Sequence, residues 1–257
     1  MYLSKWYGDC VTPDGRAFIA YWARLGPGWV RLPYAAALEA TGGGGTAQRT
    51  ALRPGPEPAP GEGDMRWACA PLGFQAAWLL GPPTPAVTLF ESDAGAIRWH
   101  CAVPGAPVRI ERPGGATLTG WGYLEHLLIT LPLRKLPMTG LRWGRFVSAG
   151  LALAWIVWQG ETPRTWVFRD GAIEPGARVT DGGIALADGG RLTIENAAVI
   201  REGPLGVTAL RRMRALRLLT PRRLWSASEQ KWLARGTVAL GAQRHEGWVI
   251  HEVVRWA

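Results

Sequence analysis

Apolar and polar side chains alternate along much of the chain, in short runs cut by glycine, proline and aspartate. Such runs predict strands, because successive side chains of a strand point to opposite faces. They cover Arg16–Leu25, Trp29–Ala40, Met65–Ala70, Leu72–Leu80, Ala86–Glu91, Ala96–Val103 and Val108–Arg112. Pro13-Asp14-Gly15, Gly81-Pro82-Pro83 and Pro113-Gly114-Gly115 separate them, with proline presetting φ and glycine accepting φ > 0. The second half repeats the rhythm around Asp170-Gly171, Asp181-Gly182 and Asp188-Gly189, dipeptides suited to tight hairpins. Gly247–Trp256 reads as a closing strand.

Two stretches break the pattern. Thr41–Asp64 is rich in glycine and proline and almost free of large apolar residues. It reads as a loop that folding does not need. Gly206–Leu219 is free of proline and places Leu210, Met213 and Leu216 or Arg217 at helical spacing, which predicts one short helix. The expectation is an all-β protein of two closed barrel units, residues 1–115 (with 41–64 a flexible loop) and 116–257.

Composition narrows the function. The chain has 257 residues, 47% of them apolar and 19% charged, enough to bury a sizeable core and too few charges for disorder. No run approaches the ~18 apolar residues of a membrane helix, and Met1–Trp6 lacks the apolar core of a signal peptide. The cytoplasm is the expected location. Cys10, Cys69 and Cys101 have no CxxC spacing and read as reduced and buried. The net charge is +9, yet only Lys5, Lys135 and Lys231 are lysines. Arginine excess of this kind, beside heavy alanine, glycine and proline use, matches a GC-rich coding bias, and no nucleic-acid partner is expected. The 15 tryptophans, three for every phenylalanine, change the picture most: they supply large apolar area, an indole donor and an electron-rich face.

Several motifs dissolve on inspection. Gly42–Thr46 lacks the Lys-Ser/Thr ending of a phosphate loop. His245-Glu246 and His251-Glu252 are spaced by six rather than four, so no metal site is expected. Six arginines (Arg211, Arg212, Arg214, Arg217, Arg222, Arg223) crowd thirteen residues around the predicted helix. They form either a solvated face or a contact with an anionic membrane surface through Arg211, Arg212 and Arg214, serving to collect a lipophilic substrate.

Gly120–Thr130 is the segment with chemical content. As a strand it puts Trp121, Tyr123, Glu125, Leu127 and Ile129 on one face and His126 on the other. A carboxyl among aromatic and aliphatic groups keeps its proton to higher pH, as a general acid requires. If the other face is inward, His126 is the buried group. The bland alternative is a satisfied pair of Glu125 with Arg142 or Arg145. Asp9 is a second acid candidate, with pairing to Lys5 as its bland reading. Trp22, Trp143, Trp155 and Trp158 fall in predicted strands, where indole faces can hold a cation.

These residues carry a resemblance. Lys5-Trp6-Tyr7 followed by Pro13-Asp14-Gly15-Arg16 resembles the opening of the lipocalin-like carotenoid hydratase (hydroxyneurosporene synthase) and AttH group. Gly122-Tyr123-x-Glu125-His126, with Leu141–Phe146 after it, is similar to that group's central motif, and Gly247-Trp248…Glu252-Val253…Trp256 to its closing strand. The resemblance implies two lipocalin-like β-barrel units around an apolar cavity and, among members and relatives, hydratases of carotenoid ends, tocopherol cyclase and intramolecular [4+2] cyclases. The leading expectation is a cofactor-free enzyme that protonates a double bond of a polyene or isoprenoid, driving hydration or cyclisation. Glu125, His126 and Asp9 are the catalytic candidates. Trp6, Tyr7, Trp22, Trp121 and Tyr123 are candidates for substrate binding, as are Arg142, Trp143, Arg145, Trp155 and Trp158. The alternatives are a cycloaddition pocket and a non-catalytic carrier of a lipid or pigment.

Overall fold

The computed structural model describes residues 2–26, 31–41, 45–132, 135–208 and 225–256. The first ten strands are β1 (Tyr2–Val11), β2 (Ala17–Gly26), β3 (Leu32–Ala40), β4 (Thr46–Ala51), β5 (Ala59–Pro60), β6 (Asp64–Cys69), β7 (Phe74–Leu79), β8 (Val87–Ser92), β9 (Gly95–Glu111) and β10 (Thr117–Ile129). Nine follow: β11 (Gly140–Val147), β12 (Ala152–Gln159), β13 (Arg164–Arg169), β14 (Ala172–Ile173), β15 (Arg178–Thr180), β16 (Gly183–Ala185), β17 (Arg191–Pro204), β18 (Ser228–Leu240) and β19 (Gln243–Arg255).

The first ten form one antiparallel sheet, ordered β4-β3-β2-β1-β10-β9-β7-β6-β5 with β8 on β9. The rest form a second, ordered β14-β13-β12-β11-β19-β18-β17-β16-β15. Each is an up-and-down meander whose first strand pairs with its last, β1 with β10 and β11 with β19. That pairing curls the meander round on itself and leaves it open only between β4 and β5, or β14 and β15. It also moves the expected division at 115/116. β10 completes the first meander, so the chain passes from one sheet to the other between residues 130 and 139.

Local chemistry explains the elements. Asp170 and Gly171 both adopt positive φ, 50° and 87°, and join β13 to β14 as an Asp-Gly hairpin should. The runs expected at 96–103 and 108–112 are one strand, β9, continuing through Pro104 and Pro107. Nearby, β10 shifts register between Gly122 and Leu124 and again before His126, a bulge that accommodates prolines without N–H donors. Of the predicted helix, residues 206–208 form a turn. The remainder, with Arg211, Arg212, Arg214, Arg217, Arg222 and Arg223, lies outside the described residues. No helix among the described residues is long and apolar enough to cross a membrane.

The 41–64 segment corrects the loop expectation. β4 extends the sheet from β3, and 52–58 crosses from β4 to β5 at the opening of the first meander. Trp22 Nε1 donates to the Gly55 carbonyl at 3.2 Å, Trp6 Nε1 to Glu57 at 3.0 Å, and Pro54 and Pro58 are buried. The segment brings little apolar area itself; the barrel's tryptophans supply it.

Three buried layers result. On β1, Trp6 and Cys10 turn into the first barrel with Phe18, Trp22, Trp67 and Trp78. On β11, Phe146 turns into the second with Leu153 and Trp155. Tyr7, Val11, Tyr123, Trp143 and Val147 turn the opposite way and join a core that contains residues of both sheets. The barrels thus stand back to back. Glycines permit the crowding inside each: a Cβ on Gly8 would strike Trp78, and one on Gly144 would strike Trp155. Cys10, Cys69 and Cys101 are free and buried, as expected.

One fork spans the layer between the barrels. Arg145 donates through Nε to Asp9 Oδ2 at 2.9 Å and through Nη2 to Oδ1 at 2.7 Å, and its Nη1 reaches the Trp248 carbonyl at 2.7 Å. Both side chains are fully buried. Removing one partner strands a charge, so Arg145→Met is expected to cost about 3–5 kcal/mol in urea unfolding, and Asp9→Leu with Arg145→Met far less. A loss below ~1 kcal/mol for the single variant would show that the fork does not hold the sheets. Replacing 52–58 by a Gly-Ser link is expected to lower Tm by several degrees and to raise acrylamide quenching of tryptophan, since two indole hydrogen bonds worth ~1 kcal/mol each are lost. An unchanged melt and unchanged quenching would restore the free-loop reading.

Candidate functional site

Glu125 lies on β10 opposite Tyr7 of β1, on the strand face turned toward the second sheet. It is 3% exposed. Three donors converge on its Oε2: Trp99 Nε1 at 2.6 Å, Tyr123 OH at 2.7 Å and Trp143 Nε1 at 3.0 Å. They come from β9, β10 and β11, so the acid is gripped by both sheets. Burial raises its pKa, against the opposing pull of Lys5 and then of the three hydrogen bonds. With Oε2 occupied by donors, the proton of the neutral acid belongs on Oε1. The same donors are placed to stabilise the carboxylate once that proton leaves. The phenols stay protonated: desolvation, with Asp9 next for Tyr7 and Cys101 next for Tyr123, pushes both well up.

An aromatic row runs away from Glu125. Trp143 meets Tyr7 at 4.7 Å between ring centroids and Tyr123 at 5.9 Å, and Tyr7 meets Tyr21 at 5.4 Å, each edge-on. Beneath the row lies Lys231, fully buried, with Nζ 5.3 Å from the Trp143 ring centroid, 5.5 Å from Tyr7 and 5.9 Å from Tyr21. Its ammonium is paired with Glu252. Burial pulls the Lys231 pKa down, but Glu252 and then Tyr21 outweigh it and hold it at about 12. Glu252 is lowered to about 2: burial opposes this, and Lys231 and then Lys5 overcome it. This pair is therefore charged at neutral pH. Farther along, Arg201 donates to the Tyr21 hydroxyl at 3.1 Å and pairs with Glu229.

The sequence-predicted residues divide among the three layers. Glu125, Tyr123, Tyr7 and Trp143 come together between the barrels, with Trp121 packed partly buried against the same core. Asp9 and Arg145 are there too, but as the fork, with Tyr7 OH adding a third donor to Asp9 at 2.9 Å. Neither Lys5 with Asp9 nor Arg145 with Glu125 is the pair that forms. Trp158 belongs to this layer's far side, against Phe90 and Trp166. The others are not brought to the acid. His126 stacks on Trp6 at 4.6 Å and bonds Ser4 Oγ at 2.8 Å on the first barrel's side, its pKa lowered chiefly by burial. Trp22 is inside the first barrel and Trp155 inside the second. Arg142 pairs with Asp181 and the Thr180 carbonyl.

Sequence reasoning missed Trp99, Tyr21, Arg201, Lys231 and Glu252. None of them had a local signal: even Lys231, in β18, has Glu229 as well as Leu233 two residues away on its own face, a pattern as fit for solvent as for a core. Among the described residues no group of three or more His, Cys, Asp or Glu is gathered as metal ligands.

No family model matches the chain, and no curated protein sequence matches it. Solved structures do. CghA is 13% identical with a TM-score of 0.57, over 100% of this chain and 88% of CghA. Kievitone hydratase from Nectria haematococca is 10% identical with a TM-score of 0.57, over 98% of this chain and 88% of the hydratase. An AttH-like protein (NE1406) from Nitrosomonas europaea is 14% identical with a TM-score of 0.53, over 97% of this chain and 91% of its own. At such identities the likeness is one of fold: the protein is all-β, with two lipocalin-like barrel units.

Proposed function

We propose that the protein is an enzyme acting on a lipophilic polyene or isoprenoid, needing no cofactor, and that Glu125 is its proton donor. The observation that carries the reading is a fully buried carboxyl with a raised pKa whose one oxygen takes three donors from two sheets. In the step proposed, the Glu125 Oε1–H bond breaks and its proton forms a C–H bond at the alkene. Water or an internal nucleophile then fills the cationic carbon, and the proton that the nucleophile loses returns to the Glu125 carboxylate and restores the acid. Trp99, Tyr123 and Trp143 hold the carboxylate left behind. Tyr7, Tyr21 and Trp143 offer ring faces beside the developing charge, while Lys231 is compensated there by Glu252. Burial between the barrels keeps bulk water from the cation. That a hydratase shares the fold supports this class of chemistry. A crystal form of CghA holding Sch210972 supports a small-molecule ligand for such folds.

Two outcomes test it. Squalene, farnesol and geranylgeraniol offered in D2O are expected to gain one solvent deuteron on carbon, seen by mass spectrometry. Glu125→Gln is expected to lower that rate by roughly 10²–10⁴-fold while leaving binding within a few-fold. Full turnover by the variant would move the assignment to a cycloaddition pocket working by shape, and tight binding without any conversion to a carrier. The second outcome concerns stability. An acid whose folded pKa is raised holds more protons folded than unfolded, so its contribution falls as pH climbs from ~4.3 through the folded pKa. The wild-type advantage over Glu125→Gln in urea unfolding should shrink across that window and then level. A difference independent of pH would mean that the Glu125 pKa is the same in the folded and the unfolded chain.

A further inference from the structure

Among the described residues, Glu229 carries a buried acceptor without a donor. It lies on β18, 3% exposed, and its Oε1 takes both Arg201 Nε at 2.9 Å and Arg201 Nη2. Its Oε2 is buried and has no hydrogen-bond partner among the described residues. An unmade hydrogen bond on a buried charged oxygen is costly, and native structures rarely keep one without a use. The neighbouring carboxylates differ: Asp9 takes donors on both oxygens and Glu252 pairs with Lys231, and neither has an orphaned buried oxygen among the described residues.

The place of this oxygen gives it a meaning. Arg201, which holds Oε1, also donates to Tyr21, and Tyr21 begins the row that runs through Tyr7 and Trp143 to Glu125. Around the Tyr21 end, Leu25, Tyr34 and Trp225 form an apolar cluster. Glu229 and Glu125 are therefore carboxyl groups at the two ends of one aromatic row. A carboxylate oxygen only accepts, so it repels a carbonyl or an acid group on a ligand. Arg201 and Lys231 close by disfavour a cationic head. A neutral O–H donor satisfies both conditions.

We propose that Glu229 Oε2 receives a hydroxyl of the substrate, which is thus a lipophilic alcohol. Its polar end lies on Glu229 and its unsaturated body passes Tyr21, Tyr7 and Trp143 to reach Glu125. This inference rests on the reading of Glu125 as the acid at the other end, and it names the substrate class of that same site.

Farnesol, farnesyl methyl ether and farnesal serve as probes, with Kd from quenching of tryptophan fluorescence. The apolar body is nearly constant, and only the first donates a hydrogen bond. The wild-type protein is expected to bind farnesol about tenfold or more tightly than the ether. In Glu229→Gln the oxygen stays with Arg201 and an NH2 replaces Oε2, so the preference should turn from farnesol toward farnesal. Glu125→Gln should leave the alcohol-to-ether ratio unchanged. Equal wild-type affinity for farnesol and its ether overturns the proposal, whatever the stability of the variants, and leaves the lipophilic site standing. So does a ratio that Glu229→Gln does not move. Binding of none of the three probes by the folded protein overturns the site reading itself, and this inference with it.

Discussion

The fork between Arg145 and Asp9 is the contact on which the layer between the barrels depends. Each partner projects from a central strand of its own sheet, β11 and β1, and neither is reachable by water. Apolar packing alone would let two barrel walls slide or rotate with small changes in buried area. A bidentate guanidinium–carboxylate pair accepts one geometry. Its desolvation offsets much of its attraction, so its contribution lies in position more than in strength. Tyr7 binds the same carboxylate and Trp143 stands two residues from Arg145, so the fork sets the ring edges that define the row.

Around that anchor the layer is a graded series of charges. Lys231 and Glu252 stay ionised because each sees the other at contact distance in a site of low polarity. Glu125 has no cation in contact among its hydrogen-bond partners, only neutral N–H and O–H donors, and desolvation then dominates. Glu125 and Glu252 are thus driven in opposite directions by their neighbours. Separated environments of this kind let one fold raise the pKa of one acid while lowering that of another.

The barrel interiors show a different economy. Each is filled by indoles laid over glycine, Trp78 on Gly8 and Trp155 on Gly144, so many of the tryptophans serve packing. His126, Trp6 and Trp22 gather instead where 52–58 closes the first meander. The abundance of tryptophan therefore has at least two sources, wall filling within the barrels and hydrogen-bond donation to Glu125 between them.

The alternation along Gly120–Thr130 sufficed to place Glu125 among Trp121 and Tyr123, because a strand's period of two is a local property of the backbone. Turn dipeptides such as Asp170-Gly171 were legible for the same reason: their φ demands are met within two residues. All-β architecture follows from those local signals repeated along the chain. Which face of β10 met a second sheet, and not a barrel lumen or solvent, was beyond any local pattern. Of the partners that answer it, Trp99 comes 26 residues earlier through the β9–β10 pairing, while Trp143 and Lys231 are brought near only when the second sheet, joined through β11 and β19, packs on the first. The division of the chain was misjudged on the same account, since the strand that completes the first meander bonds to residues at the opposite end of its sequence. The 52–58 crossing hid itself because its anchors are two indoles of the barrel, and its own composition carries no trace of them.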